Sequence, residues 1–204
     1  MTTKLYLLLG VGTAVVFVAV VLIEGALRSG YNPVYHTGSE LELGERGWIQ
    51  RANFFVVGLG MFAFAAGINR ALDTLIGAGL LAIFGFGLFM SGVFAPDPAR
   101  GYPPGAPIEP RAEHSRRARI HYVSGPVAFL AVLGACLAVA LQLEALWQWY
   151  TLTTAVAGIG MTIWTALAFQ RDAANTGLVQ RGLLFVYFTW IVLVGAHLLA
   201  DRSL

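Results

Sequence analysis

Hydrophobic positions in this chain fall in six long runs rather than at every third or fourth place. At 1.5 Å per helical residue, about 20 apolar residues cross a hydrocarbon core about 30 Å thick. Each run therefore predicts a transmembrane helix, over residues 5–23, 52–68, 75–94, 120–143, 147–169 and 178–199. Glu24 and Arg28 mark the exit of the first, because an ionised group at the bilayer centre costs several kcal/mol. NRALD joins the second run to the third as a tight antiparallel hairpin, and Glu144 and QRDAANTG provide equally short joins later. Two long polar loops, residues 24–51 and 95–119, account for most of what remains. The expectation is an all-α integral membrane protein: a six-transmembrane-helix bundle, one domain over residues 1–204, with both long loops on one side. The first run follows Lys4, and no small-x-small cleavage site precedes Glu24, so it is read as a retained helix and not a signal peptide.

Composition supports the same class. The chain is 57% hydrophobic and 12% charged, where a soluble domain carries about 25% charged residues. No nucleic-acid partner is expected. The single cysteine, Cys136, lies in an apolar run and can form no intramolecular disulfide, which suits a packing residue. Basic residues are unevenly divided between the two faces. Arg28, Arg46, Arg51, Arg100, Arg111, Arg116, Arg117, Arg119, Arg171 and Arg181 share the face of the long loops, and only Lys4, Arg70 and Arg202 share the other. The positive-inside rule places the loops in the cytoplasm and both termini outside, in a plasma-membrane protein. Eight of the 11 acidic residues lie on the loop face as well.

Within the spans, Gly58 and Gly60, then Gly77, Gly79, Gly85 and Gly87, then Thr154, Gly158 and Thr162 form small-residue stripes that let helix backbones pack closely. Trp48, Trp147, Trp149 and Tyr150 sit at span ends, where aromatic residues anchor at the interface.

The polar chemistry is concentrated in the stretch from Arg28 to Phe54, RSGYNPVYHTGSELELGERGWIQRANF. Ser39 with Glu42 has the spacing of a capping box opening an interfacial helix, and no G-x-S-x-G elbow marks Ser39 as a nucleophile. His36, His114 and His121 belong to the loop face and are the metal candidates, although no His-x-x-x-His or Glu-x-x-His pair is present and no metal is expected. His114, Arg117 and His121 would share one face of an early-starting fourth helix, able to hold a phosphate or merely water. Haem is not expected, since His197 lies at the opposite depth from His121, and retinal is excluded because the only lysine, Lys4, is outside the spans. No cofactor is expected. The second loop, DPARGYPPGAP, admits two readings, a re-entrant lid or a rigid surface link. RRAR at Arg116 to Arg119 fits either anionic head groups or a topogenic signal.

GYNPVYHTGSELELGERGWIQRANF, FAPDPARGYPPGAP with IHYVSGPVAF downstream, and GLVQRGLLFVYFTW together resemble a family of small bacterial and archaeal six-helix membrane proteins, catalogued as domain of unknown function nine-nine-eight. The likeness covers nearly the whole chain, with the motifs in order. It implies a six-helix bundle and carries no established activity. One departure is Asn32, where the resemblance leads one to expect Asp.

The functional expectation is a polar pocket, formed by loops 24–51 and 95–119, that binds and in one version processes a lipid or other amphiphile. Its ligand-binding candidates are Arg28, Tyr31, Asn32, His36, Ser39, Gln50, Asn53, His114 and Arg117, and its acid, base or catalytic candidates are Glu40, Asp97 and His121. Membrane lipids are the expected partners. The alternative is a structural or accessory subunit that packs against a membrane protein partner or forms a homo-oligomer. A transporter or channel ranks last, because mid-span positions offer only neutral groups such as Thr13, Ser91, Thr162, Thr165, Tyr187 and Thr189.

Overall fold

A computed structural model describes residues 2–110 and 113–201, so Arg111 and Arg202 of the charge count lie outside the described residues. Six helices, α1 (Thr3–Leu27), α2 (Gly47–Leu72), α3 (Leu75–Val93), α4 (Arg116–Ala140), α5 (Ala145–Gln170) and α6 (Thr176–Ala200), are each long and apolar enough to cross a membrane. No strand occurs among the described residues.

Several helix ends differ from the hydropathy reading, and at two of them a local reason is visible. α1 runs on to Leu27 because Glu24 is paired within the helix by Arg28, one turn away at 2.7 Å, so its charge does not end the segment. α2 starts at Gly47, taking Trp48 to Arg51 into the helix. α4 starts at Arg116, where the Ser115 hydroxyl accepts from the Ala118 N–H at 3.2 Å, and so all of RRAR is helical. The expected Ser39 cap is a correction. Gly38–Glu42 is a single 3-10 turn capped by Thr37, and Glu40, not Glu42, closes the box by accepting from the Thr37 N–H at 2.6 Å.

Each helix packs on its neighbours in chain order, and α6 closes the ring against α1. Rings from four helices meet inside: Phe188 of α6 stacks on Phe17 of α1 at 4.8 Å and faces Phe84 of α3 at 5.9 Å, while Phe129 of α4 lies against Tyr187. Among the glycine stripes, Gly58 and Gly85 oppose one another so closely that a Cβ on Gly58 would stand 2.9 Å from the Gly85 carbonyl oxygen, and Gly87 meets Ala128 of α4. Gly79 instead faces open space, so it does not belong to the packing set. The seams on either side of α5 and that of α1 with α6 are the loosest in the ring, α4 with α5 the loosest of all, and α5 is the least buried span. Pro126 lies inside α4 on that side, where its missing N–H removes one rung of the helix ladder.

Candidate functional site

The two long loops fold into one cap over the ends of the helices, and arginines hold it together. Arg181 of α6 donates through Nη1 to the carbonyls of Pro33 at 2.7 Å, His36 at 3.0 Å and Gly177 at 3.0 Å, and through Nη2 to the Tyr31 hydroxyl at 2.6 Å. The first N–H groups of α6, which no helical carbonyl can satisfy, go to the same loop: Gly177 N–H to Tyr35 at 3.1 Å and Leu178 N–H to Val34 at 2.9 Å. Arg28 binds the Glu24 carboxylate, the carbonyls of Leu43 and Arg46, and the Tyr102 hydroxyl, while Arg46 takes the other Glu24 oxygen. Tyr102 comes from the second loop, so Arg28 ties both loops to α1.

His36 and Arg100 form a second fastening. The Asn32 N–H donates to His36 Nδ1 at 2.9 Å, leaving Nε2 to donate to the Arg100 carbonyl at 2.9 Å, which sets the neutral tautomer. The Arg100 guanidinium is buried over the Tyr35 ring, 4.0 Å from its centroid, with Asp172 at 2.8 Å and Glu40 at 3.8 Å. Gly30, in left-handed backbone at φ 73°, lets the loops close up: a Cβ there would lie 2.8 Å from Pro104. The second loop is thus a clamped part of the cap, and the surface-link reading describes it better than a re-entrant lid.

Beneath the cap are two adjoining cavities. The larger, about 280 Å³, lies between α4, α5 and α6, with Phe129, Leu183, Ala166 and Phe169 as apolar walls and Thr37, Ser39, His121 and Gln180 at its polar end. Its rim includes exposed Pro126 of α4 and Ala166 of α5, so it opens on the outer surface of the looser side of the ring. The smaller, about 60 Å³, runs inward toward Gln50, Phe17 and Leu88 and shares Ser39, His121 and Gln180 with the first. A separate cleft of about 210 Å³ lies outside, bordered by Arg51, Asp97, Ser115 and Arg117.

His121 holds its place by Nδ1, which faces the carbonyl oxygens of Phe94 at 2.6 Å and Ser91 at 3.3 Å. Glu42 lies behind it. Its Oε1 is 3.6 Å from His121 Nδ1, beyond hydrogen-bond reach, and neither carboxyl oxygen has a hydrogen-bond partner. Burial pushes the Glu42 carboxyl up to about 9 against the opposing pull of Arg51, so near neutrality it is an uncharged acid. Burial likewise raises the Tyr31 hydroxyl to about 12, although the Arg181 guanidinium works the other way. Tyr35 is raised for the same first reason.

The residues singled out from sequence separate into three groups. Ser39, Gln50 and His121 border the cavities. Arg28, Tyr31, Asn32, His36, Glu40 and Asn53 are engaged in the cap or at its root, Asn53 donating to the Phe17 carbonyl at 3.1 Å. Asp97, His114 and Arg117 lie by the outer cleft, where Asp97 accepts from the Ser115 N–H at 2.8 Å and so serves the start of α4. The shared face drawn for His114, Arg117 and His121 does not form: His114 precedes the helix, Arg117 is exposed and His121 is buried. His36, His114 and His121 do not converge, and no trio of His, Cys, Asp or Glu among the described residues is placed to hold a metal. Gln180, Arg181, Arg100, Tyr102 and Glu42 join the cap, the cavities or their surroundings without a sequence motif that marks them as site residues. The available signal was the adjacent pair Gln180 and Arg181, two long polar side chains inside an apolar run at the depth of the loops.

No curated protein and no solved structure matches the chain. The family model described as "Protein of unknown function (DUF998)" matches residues 11–197, which is nearly its whole length. Six spanning helices and that match together make this chain a multi-pass membrane protein that belongs to the DUF998 family.

Proposed function

We propose that this protein takes an amphiphile from the bilayer through the opening beside α5, with the polar end of the guest under the loop cap and its tail along the apolar wall. The observation that carries this reading is the 280 Å³ cavity itself, with Thr37, Ser39, His121 and Gln180 at the cap and mainly apolar walls, interrupted by Thr162 and Thr165, toward an exposed rim on two spanning helices. Sites for small molecules are commonly apolar clefts of about 300–1,000 Å³ with a few fixed polar groups at one place. Native mass spectrometry of gently extracted protein tests it. A stoichiometric amphiphile, lost on Ala166→Trp at the rim, is expected; a stoichiometric protein partner with no bound amphiphile would establish the accessory-subunit reading instead.

The excess of arginine on the loop face supports placing the cap on the cytoplasmic side of the plasma membrane. Single cysteines at the exposed positions Glu45, Ile108 and Ala174 should label together from one side and a cysteine at Asp73 from the other. Labelling of all three loop positions from the outside of intact cells would invert the assignment.

A further inference from the structure

Resting on the amphiphile reading, we infer that the head group this cavity accepts is uncharged and bears a hydroxyl. The argument comes from hydrogen-bonding capacity that the fold leaves unused where the two cavities join. Gln180 Oε1 accepts from the Gly38 N–H at 2.7 Å, so the amide must present its Nε2, with two donors, on the other side. Gln50 Oε1 accepts from Asn53 Nδ2 at 3.2 Å, and Gln50 Nε2, in a fully buried residue bordering the smaller cavity, has no partner. Two amide donors therefore lack acceptors from the protein.

Acceptors accompany them. The Thr37 hydroxyl donates its one proton to the Glu40 carboxylate at 2.9 Å, so in the 3.2 Å contact between Thr37 and Ser39 the serine is the donor and its lone pairs remain open. His121 turns Nδ1 to two carbonyl oxygens, which makes that nitrogen the N–H of a neutral imidazole and leaves Nε2 as an acceptor. A hydroxyl matches this arrangement, donating to Ser39 or His121 and accepting from Gln180 or Gln50.

A phosphate does not match it. Among the described residues, no Lys or Arg borders either cavity. Arg28 and Arg181 are committed to loop carbonyls and hydroxyls, and Arg100, 5.7 Å from the ring of the wall residue Phe169, is already paired with Asp172 and Glu40. An anionic head would leave water for a place where two of the four open groups are acceptors, and desolvating a charge without a paired cation is costly. Rejection built from unmatched polar groups discriminates far better than apolar fit does.

Farnesol and farnesyl phosphate share one tail and differ only in the head, so they isolate the inference. Binding to the purified full-length protein in neutral detergent, followed by thermal shift and by native mass spectrometry, should favour farnesol at least tenfold. Gln180→Glu keeps the acceptor for Gly38 and replaces the donor by a carboxylate; this variant should fold with an unchanged melting profile and bind farnesol at least tenfold more weakly. Equal or tighter binding of farnesyl phosphate would overturn the uncharged-head assignment and leave the amphiphile reading standing. Farnesol binding undiminished in Gln180→Glu would overturn the role given to the amide. Failure of both probes to bind, with no amphiphile carried through extraction, would remove the reading on which the inference rests.

Discussion

The cap and the cavity beneath it lie side by side and treat polar groups in opposite ways. In the cap, charged residues are consumed by the protein: Arg28 and Arg181 meet seven partners between them other than the carbonyl of α6 itself, drawn from both loops and α1. In the cavity the polar residues are neutral and each keeps something to offer. Gln180 and Arg181 are sequence neighbours, yet one faces each region. Charge is therefore no guide to the cavity lining in this molecule, because ionised groups at a membrane interface are stable chiefly when fully paired, whereas an unpaired neutral amide or hydroxyl costs less.

The comparison is broken most directly by exchanging one residue from each side. Arg181→Met leaves two loop carbonyls and the Tyr31 hydroxyl without their Arg181 donor and is expected to cost about 3 kcal/mol or more, read as a large fall in melting temperature in detergent. A fall of only a degree or two would mean that the cap does not depend on its arginines. Arg100→Met should cost less, on the order of 1–2 kcal/mol, since that guanidinium is held by the Tyr35 ring and carboxylates without an aligned hydrogen bond.

Glu42 belongs to the boundary between the regions and predicts a pH dependence. The groups facing it with a charge or a titrating proton are buried His121 of α4 and exposed Arg51 of α2. A carboxyl raised to about 9 from 4.5 favours the folded state while protonated, so its contribution is complete below about pH 4.5 and is lost as pH rises through 9. Stability should fall across that interval by up to about 1 kcal/mol per pH unit. Glu42→Gln should flatten the curve; a variant with the slope of the parent would show that the proton is bound elsewhere. The smallest effect is expected at the cavity, where Gln180→Glu should change ligand-free stability by less than about 1 kcal/mol. A loss as large as that of Arg181→Met would erase the distinction between the two regions.

The spans were legible because an apolar run of about 20 residues has few other uses. Their ends were less so, since hydropathy does not register a pair such as Glu24 with Arg28 or a cap such as Ser115, and both let helix continue through charged residues. Of the residues that border the cavities, Ser39, Gln50 and His121 stand out in the sequence by their polarity and depth. Gln180 does not, because its partner Gly38 is 142 residues away and only the closing of the ring brings them together. Charge and chemistry point Arg28 and His36 toward a ligand; composition cannot reveal that Glu24, Tyr102 and the Arg100 carbonyl already occupy them.

The seat of α6 against the first loop also imposes an order in time. Gly177 approaches that loop so tightly that a Cβ on it would stand 2.7 Å from the Pro33 carbonyl oxygen, and Arg181 reaches a carbonyl 145 residues earlier in the chain. Nothing synthesised before α6 can supply these contacts. At a translation rate of about 5–20 residues per second, the first loop waits on the order of ten seconds after its own emergence for the last helix. During that interval Tyr31 and the carbonyls of Pro33 and His36 lack the donor that Arg181 later supplies, and a chain interrupted before Thr176 never acquires it.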